Sequence, residues 1–186
     1  MSRPRGRRLA RAFYTRDVLE VAPDLLHKVI VVGGCAGRIV EVEAYRADDP
    51  ASHSFRGRTP RNATMFGPGG LLYVYFTYGM HFCANVVTGP EHDGQAVLLR
   101  AVRPCRGLEE MRARRGGRAD GVLADGPGKL CQAFGLDRSH DGLDLCTSAD
   151  VLIVDDGTPP PADPLVGTRI GIRHGVEHPW RWRARA

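Results

Sequence analysis

The chain has 186 residues, 42 % of them hydrophobic, enough for one compact domain with a sizeable core. It contains no apolar run of about 18 residues, so no membrane-spanning helix is expected. The arginine-rich start MSRPRGRRLARAF lacks the apolar stretch of an export signal. The formal net charge of +5 sits at the ends: residues 1–11 hold five arginines and no acid, and the last six residues hold three more, leaving 18 bases against 21 acids between them. This reads as a near-neutral domain, 12–182, behind a basic flexible arm, 1–11, of the kind that either meets polyanions or is merely solvated. Cys35, Cys83, Cys105, Cys131 and Cys146 are odd in number and free of C-x-x-C spacing. They predict reduced thiols in a cytoplasmic protein, nucleoid-associated if bacterial, and argue against a disulfide framework or structural zinc.

In chain order, Thr15 is placed to cap a helical stretch, TRDVLEVAPDLLHKVI, in which Pro23 predicts a break or a second start. KVIVVGG and AGRIVEVEAY are β-branched runs joined at a Gly-rich turn and predict a hairpin. Residues 46–70 are polar and studded with Gly and Pro, and loops of that length are usually functional. LLYVYFTYG and MHFCANVVTG predict a second hairpin, with Tyr78, Gly79, Met80 and His81 near its tip. AVLLRAV reads as a buried strand; GLEEMRARR and GPGKLCQAFG read as helices, the second opened by Pro127 and closed by Gly135. VLIVDD and GTRIGIRH read as two more strands either side of the Pro-rich loop TPPPADP. Hairpins with interspersed helices predict an α+β single domain: a curved, mostly antiparallel sheet with surrounding helices and a protruding hairpin.

Period-2 alternation in RIVEVEAY puts Val40 and Val42 on one face and Glu41, Glu43 and Tyr45 on the other. Two carboxylates beside an aromatic suit acid–base work, although exposed strand faces also carry Glu routinely. The loop that follows holds His53, Arg56, Arg58 and Arg61 with no acid after Asp49, and the next strand aligns Tyr73, Tyr75 and Thr77. Walls of Tyr45, His53 and Tyr75 would form an electron-rich sandwich for a flat ring, favouring a cationic one by several tenths to ~2 kcal/mol. Singly, the tyrosines are equally core aromatics. Arg100 interrupts the apolar strand VLLRAV, where an unpaired guanidinium is costly. A carboxylate such as Glu43 would satisfy it, in a structural or a functional ion pair. Lys129, at the start of the GPGK helix, either serves a phosphate or is solvated.

EVEAY, then His53-Ser54 with TPRN and MF, then LYVYFTYGMHFCAN, then VLLRA and GPGKLCQA follow one another in an order and spacing that resemble the alkyladenine (3-methyladenine) DNA glycosylase family, from roughly residue 12 to residue 182. The resemblance implies a monofunctional hydrolase for base excision repair, acting as a monomer on damaged double-stranded DNA, with no metal and no cofactor. Its substrates would be purines of the 3-methyladenine, 7-methylguanine, hypoxanthine and ethenoadenine type, flipped out and excised to leave an abasic site. Carried over residue by residue, Glu43 would be the general base that prepares a water to attack C1′, and Arg100 would hold carboxylate and water. Tyr45, His53 and Tyr75 would sandwich the base, and Asn85 would crowd a purine 2-amino group. Tyr78 would enter the stack, flanked by Met80 and by His81, where the family commonly has an aromatic. Arg58, Arg61 and Lys129 would meet phosphates, while Glu41 has no assigned part. The chemistry is coherent: a base must leave the duplex to be reached, at a few kcal/mol, and a carboxylate stabilises the oxocarbenium-like sugar left behind. The alternatives are a non-catalytic DNA or RNA binder using the same aromatic face and basic tails, and a nucleoside hydrolase. Release of free base from methylated duplex DNA, but not from nucleosides, separates the three.

Overall fold

The computed structural model describes residues 6–185. The chain runs β1 (Arg7–Arg8), α1 (Arg11–Tyr14), α2 (Val18–Leu25), β2 (Val29–Val32), β3 (Cys35–Tyr45), β4 (Leu72–Thr77), β5 (His81–Thr88), β6 (Gln95–Arg106), α3 (Leu108–Arg114), α4 (Pro127–Phe134), β7 (Val151–Asp155), β8 (Leu165–Gly167) and β9 (Arg181–Arg183). The strands form one curled antiparallel sheet in the order β1-β7-β2-β3-β6-β5-β4, as the α+β reading expects. β3 organises it. Its first half pairs with β2 and its second half with β9, while β6 runs along its other side.

Strand periodicity sorts the side chains of this sheet into two faces. Val42 and Ala44, Leu72 and Val74, Ala84 and Val86, and Val97 and Leu99 are buried in the main core. α2 lays Val18, Val21, Ala22 and Leu25 on that core, and α4 adds Leu130, Cys131 and Phe134. The alternate residues Glu43, Tyr45, Tyr73, Tyr75, Cys83, Asn85, Leu98 and Arg100 point to the other face, and most of them line a cavity there.

The ladder of β3 with β6 shifts register three times, once between Ala36 and Gly37 and twice around Glu41. The ladder with β6 steps from Ile39↔Val102 to Glu41↔Ala101 and then to Val42↔Leu99, leaving Val40 and Arg100 as extra residues. Val40 therefore does not share the core face with Val42; Ile39, Val42 and Ala44 do. Bulges re-aim side chains and gather next to active sites. Here they bring Arg100 round to Glu41 and Glu43.

Elsewhere the sequence reading needs correcting. Asp17, not Thr15, caps α2, accepting from Leu19 N at 2.9 Å, and the helix runs through Pro23 for two more residues. GTRIGIRH is not a strand: β8 lies just before most of it, and residues 168–180 are irregular, with Gly171 and Gly175 at positive φ. The RWRARA end is not a tail, because Arg181–Arg183 is β9. Of the basic arm, residues 1–5 lie outside the described residues. From Arg7 onward it is folded: β1 pairs with β7, Leu9 is buried, Arg8 donates to Ser148 O at 2.6 Å, and Arg11 binds Gly69 O and the Asp144 carboxylate. An open sheet edge and fixed acceptors order these arginines where composition alone suggested a solvated run.

Phe134 fills the space between α4 and the glycine of β3, with only 1 % of its surface exposed and its ring tip 3.2 Å from where a Gly37 Cβ would stand. Phe134→Ala should lower unfolding free energy by about 3–5 kcal/mol, read as a shift of the urea midpoint at unchanged slope.

Candidate active site

The cavity on the second face of the sheet has a volume of about 340 Å³. Glu43 lies under it with no exposed side-chain surface. Its Oε1 accepts the Ile170 backbone N–H at 2.8 Å and lies 3.3 Å from Arg100 Nη1, and its Oε2 accepts the Tyr45 hydroxyl at 2.8 Å. An ionised carboxylate offers about four acceptor sites, and these three contacts occupy most of them. Arg100 also reaches Glu41 Oε1 through Nε at 3.2 Å, and the same oxygen accepts from Arg181 Nη1 at 3.1 Å. Glu41 is thus committed to two guanidinium groups, and Glu43 is the carboxylate placed beside the cavity.

The walls are aromatic. The His53 and Tyr75 ring centroids are 4.4 Å apart, Tyr73 lies 5.5 Å from Tyr75, and the Tyr73 hydroxyl is 3.0 Å from His53 Nδ1. Burial pushes the Tyr73 phenol up to about 12, and pushes those of Tyr45 and Tyr75 higher still, so all three are neutral donors. Asn85, 4 % exposed, donates to Tyr73 O at 3.1 Å, which fixes its amide in the lining. His53 is delivered by the 46–70 loop, which is not loose. Asn62 donates to His53 O at 2.7 Å and to Gly57 O at 3.1 Å, and Ser54 Oγ donates to Gly94 O at 2.7 Å. Buried side chains satisfy the loop backbone where no ladder exists to do so.

Tyr78 stands at the rim, at the tip of the β4–β5 hairpin. Tyr78 and Gly79 take φ values of 50° and 67°, as a type I′ turn demands, and Met80 N donates to Thr77 O at 3.2 Å. Glycine accepts this geometry freely; a tyrosine held there carries about 1 kcal/mol or more of strain. The result is a ring 79 % exposed beside Met80 at 70 %. His81 lies against Gly128 of α4 rather than in the cavity. Arg61 Nη2 donates to Phe76 O at 3.2 Å and ties the loop to this hairpin, whereas Arg58 is exposed. Lys129 pairs with Asp125 at 2.9 Å. Arg58, Arg61 and Lys129 do not line the cavity.

The chain has relatives among known proteins. The family model for methylpurine-DNA glycosylase (MPG) matches residues 12–186. The chain belongs to the methylpurine-DNA glycosylase family. It is therefore a DNA N-glycosylase, a hydrolase of base excision repair. Among its relatives is a protein of Burkholderia cenocepacia (strain HI2424), 56 % identical over 181 residues that make up 95 % of this chain and 87 % of the relative. A second, from Rhodopseudomonas palustris (strain BisB18), is 48 % identical over 180 residues, 97 % of this chain and 88 % of the relative. Each is named "Putative 3-methyladenine DNA glycosylase".

The sequence reading missed three parts of the glycosylase's site. Ile170 donates to Glu43; Arg169 and Asp49 form a fully buried ion pair; and Tyr73 anchors both His53 and Asn85. The signal for Arg169 was the one that flagged Arg100, a lone guanidinium next to β-branched residues, but the strand assignment for GTRIGIRH hid it. Among the described residues no group of three or more His, Cys, Asp or Glu is arranged to hold a metal ion.

Partial desolvation among the cavity rings, and after it the charge of Arg61, lower the pKa of the part-exposed His53 from its ordinary value of 6.5, so the neutral imidazole predominates at pH 7. Below pH 6.5 the unfolded chain takes up this proton before the folded one does, so acidification costs stability. Between pH 7.5 and about 5.5 the wild type should lose stability that a His53→Gln variant does not, measured as urea midpoints at the two pH values.

Proposed function

We infer that this glycosylase extrudes a damaged purine from duplex DNA into the aromatic cavity and hydrolyses its glycosidic bond, leaving an abasic site. The substrate class is alkylated or otherwise altered purines of the 3-methyladenine, 7-methylguanine, hypoxanthine and ethenoadenine type. The observation that carries the reading is the Glu43–Arg100 pair beneath a cavity walled by Tyr45, His53 and Tyr75. The naming of the relatives for 3-methyladenine supports an alkylated purine as substrate.

Each side chain then has a part. Glu43 takes the proton of a water that attacks C1′, and its charge stabilises the oxocarbenium-like sugar as the base departs. Arg100 holds the Glu43 carboxylate in place. The neutral rings of Tyr45, His53 and Tyr75 stack on the extruded base and favour a cationic one. Asn85 crowds the edge on which guanine carries its 2-amino group. Tyr78, with Met80 beside it, fills the place the base vacates and offsets part of the cost of unstacking. Arg58, Arg61 and Lys129 supply phosphate contacts, with Lys129 exchanging Asp125 for the backbone and His81 following the groove beside α4. No lysine lines the cavity to form a Schiff base, in keeping with a monofunctional enzyme.

Glu43→Gln should abolish base release while leaving lesion binding nearly intact, since loss of a general base alone is worth ~10² to 10⁴ in rate. Single-turnover release of 7-methylguanine from methylated duplex checks it. Activity within about tenfold of wild type would remove Glu43 from the role, because less than the smallest general-base effect would be gone.

Tyr78→Ala should cost roughly 1–3 kcal/mol on duplex substrate, the value of one aromatic–base stack, and almost nothing on single-stranded substrate. Fold stability should hardly move, because the ring buries little in the free protein. Equal losses on duplex and single strand would return Tyr78 to the cavity wall.

A further inference from the structure

Tyr45 has a charge behind it. The Arg169 guanidinium carbon lies 4.7 Å from the Tyr45 ring centroid and 5.1 Å from that of Trp180, and His178 stacks on Trp180 at 4.1 Å. Tyr45 lines the cavity and Arg169 does not, its side chain being completely buried. The cation therefore backs the wall from outside the cavity. A base stacked on the open face of Tyr45 would bring its own ring charge to about 8 Å from the guanidinium. A fixed positive charge at that range works against a cationic guest.

Asp49 answers that charge. Its side chain is also completely buried; both oxygens bind Arg169, and Oδ1 accepts Ala51 N at 3.0 Å. Arg169 in turn donates to Ala44 O at 2.9 Å and Gly175 O at 3.2 Å, so it cannot swing away. The other charges facing Tyr45 are Glu43, at its hydroxyl, and Arg100. Glu43 and Asp49 thus face Arg100 and Arg169, and neutralising Asp49 tips the balance to positive.

We propose that the Asp49–Arg169 pair is a specificity-determining element acting through Tyr45: Asp49 cancels the charge behind the wall, so that the cavity accepts cationic purines alongside neutral ones. The proposal rests on the purine-excision reading above. It makes Asp49 and Arg169 positioning residues, since neither touches the base.

The test is single-turnover release of 7-methylguanine, cationic, and of hypoxanthine, neutral, from the same duplex. Asp49→Asn, which leaves the guanidinium uncompensated, is expected to lower the 7-methylguanine to hypoxanthine rate ratio on the order of tenfold. Arg169→Gln, which leaves the carboxylate uncompensated, is expected to raise it. A purely structural pair would slow both bases alike, so an unchanged ratio in either variant overturns the proposal. Each variant is readable without the other should one fail to fold. If the wild type releases 7-methylguanine alone, opposite changes in that single rate carry the same test, since a structural role lowers both. A wild type that releases neither base refutes the excision reading itself, an outcome distinct from a flat ratio.

Discussion

Arg100 sits where β3, β6 and β9 meet, its guanidinium shared between Glu41 and Glu43 and its neighbour Arg181 closing on Glu41 from β9. Taking a carboxylate such as Glu43 wholly out of water costs several kcal/mol unless charge and hydrogen bonds replace its hydration. Here the replacement comes from three different stretches of chain: Arg100 on β6, Tyr45 on β3 and the Ile170 N–H beyond β8. The two bulges around Glu41 follow from the same requirement. A regular ladder would not leave both Val40 and Arg100 unpaired against one another, and the displaced register turns a polar side chain toward the charges it must balance.

A second buried pair repeats the arrangement at longer range. Arg169 and Asp49 join the C-terminal segment to the loop after β3, and the same guanidinium reaches the Ala44 carbonyl of β3 itself. Pairs of this kind contribute little net stability against an apolar equivalent, yet removing one partner costs about 3–5 kcal/mol. Their effect is to fix one arrangement of two irregular segments, the loop after β3 and residues 168–180, against β3. That explains how the loop-borne parts of the site, His53 and Ile170, can be as defined as those on strands.

Much of this was legible in the sequence. The alternation of RIVEVEAY placed Glu41, Glu43 and Tyr45 together, the interrupted strand VLLRAV singled out Arg100, and YG between two β-rich runs marked the hairpin tip. These signals are local, and local periodicity is what a single sequence displays. The parts that escaped depend on partners far along the chain. TRIGI has the β-branched look of a strand, but its backbone and side chains are claimed by Glu43 and Asp49, 127 and 120 residues earlier. RWRARA looks like a solvated tail because nothing near it in sequence discloses the open flank of β3. Likewise, Thr15 and Asp17 are both good caps by residue type, and only the packing of Val18 and Val21 against the core selects the later start.

Because Glu43 lies on the third strand and its backbone donor Ile170 lies 127 residues further along, the site is complete only once that later segment has been made. A ribosome that has made β3 to β6 has already placed Glu43, Arg100 and most of the aromatic wall in one sheet. What is still missing is the segment that carries Arg169, Ile170 and Arg181. A chain stopped by a premature codon before that point leaves Glu43 without its backbone donor, Glu41 without its second guanidinium and Asp49 as a lone buried anion. The chain must therefore be present through Arg181 before the carboxylates of β3 have their full set of partners.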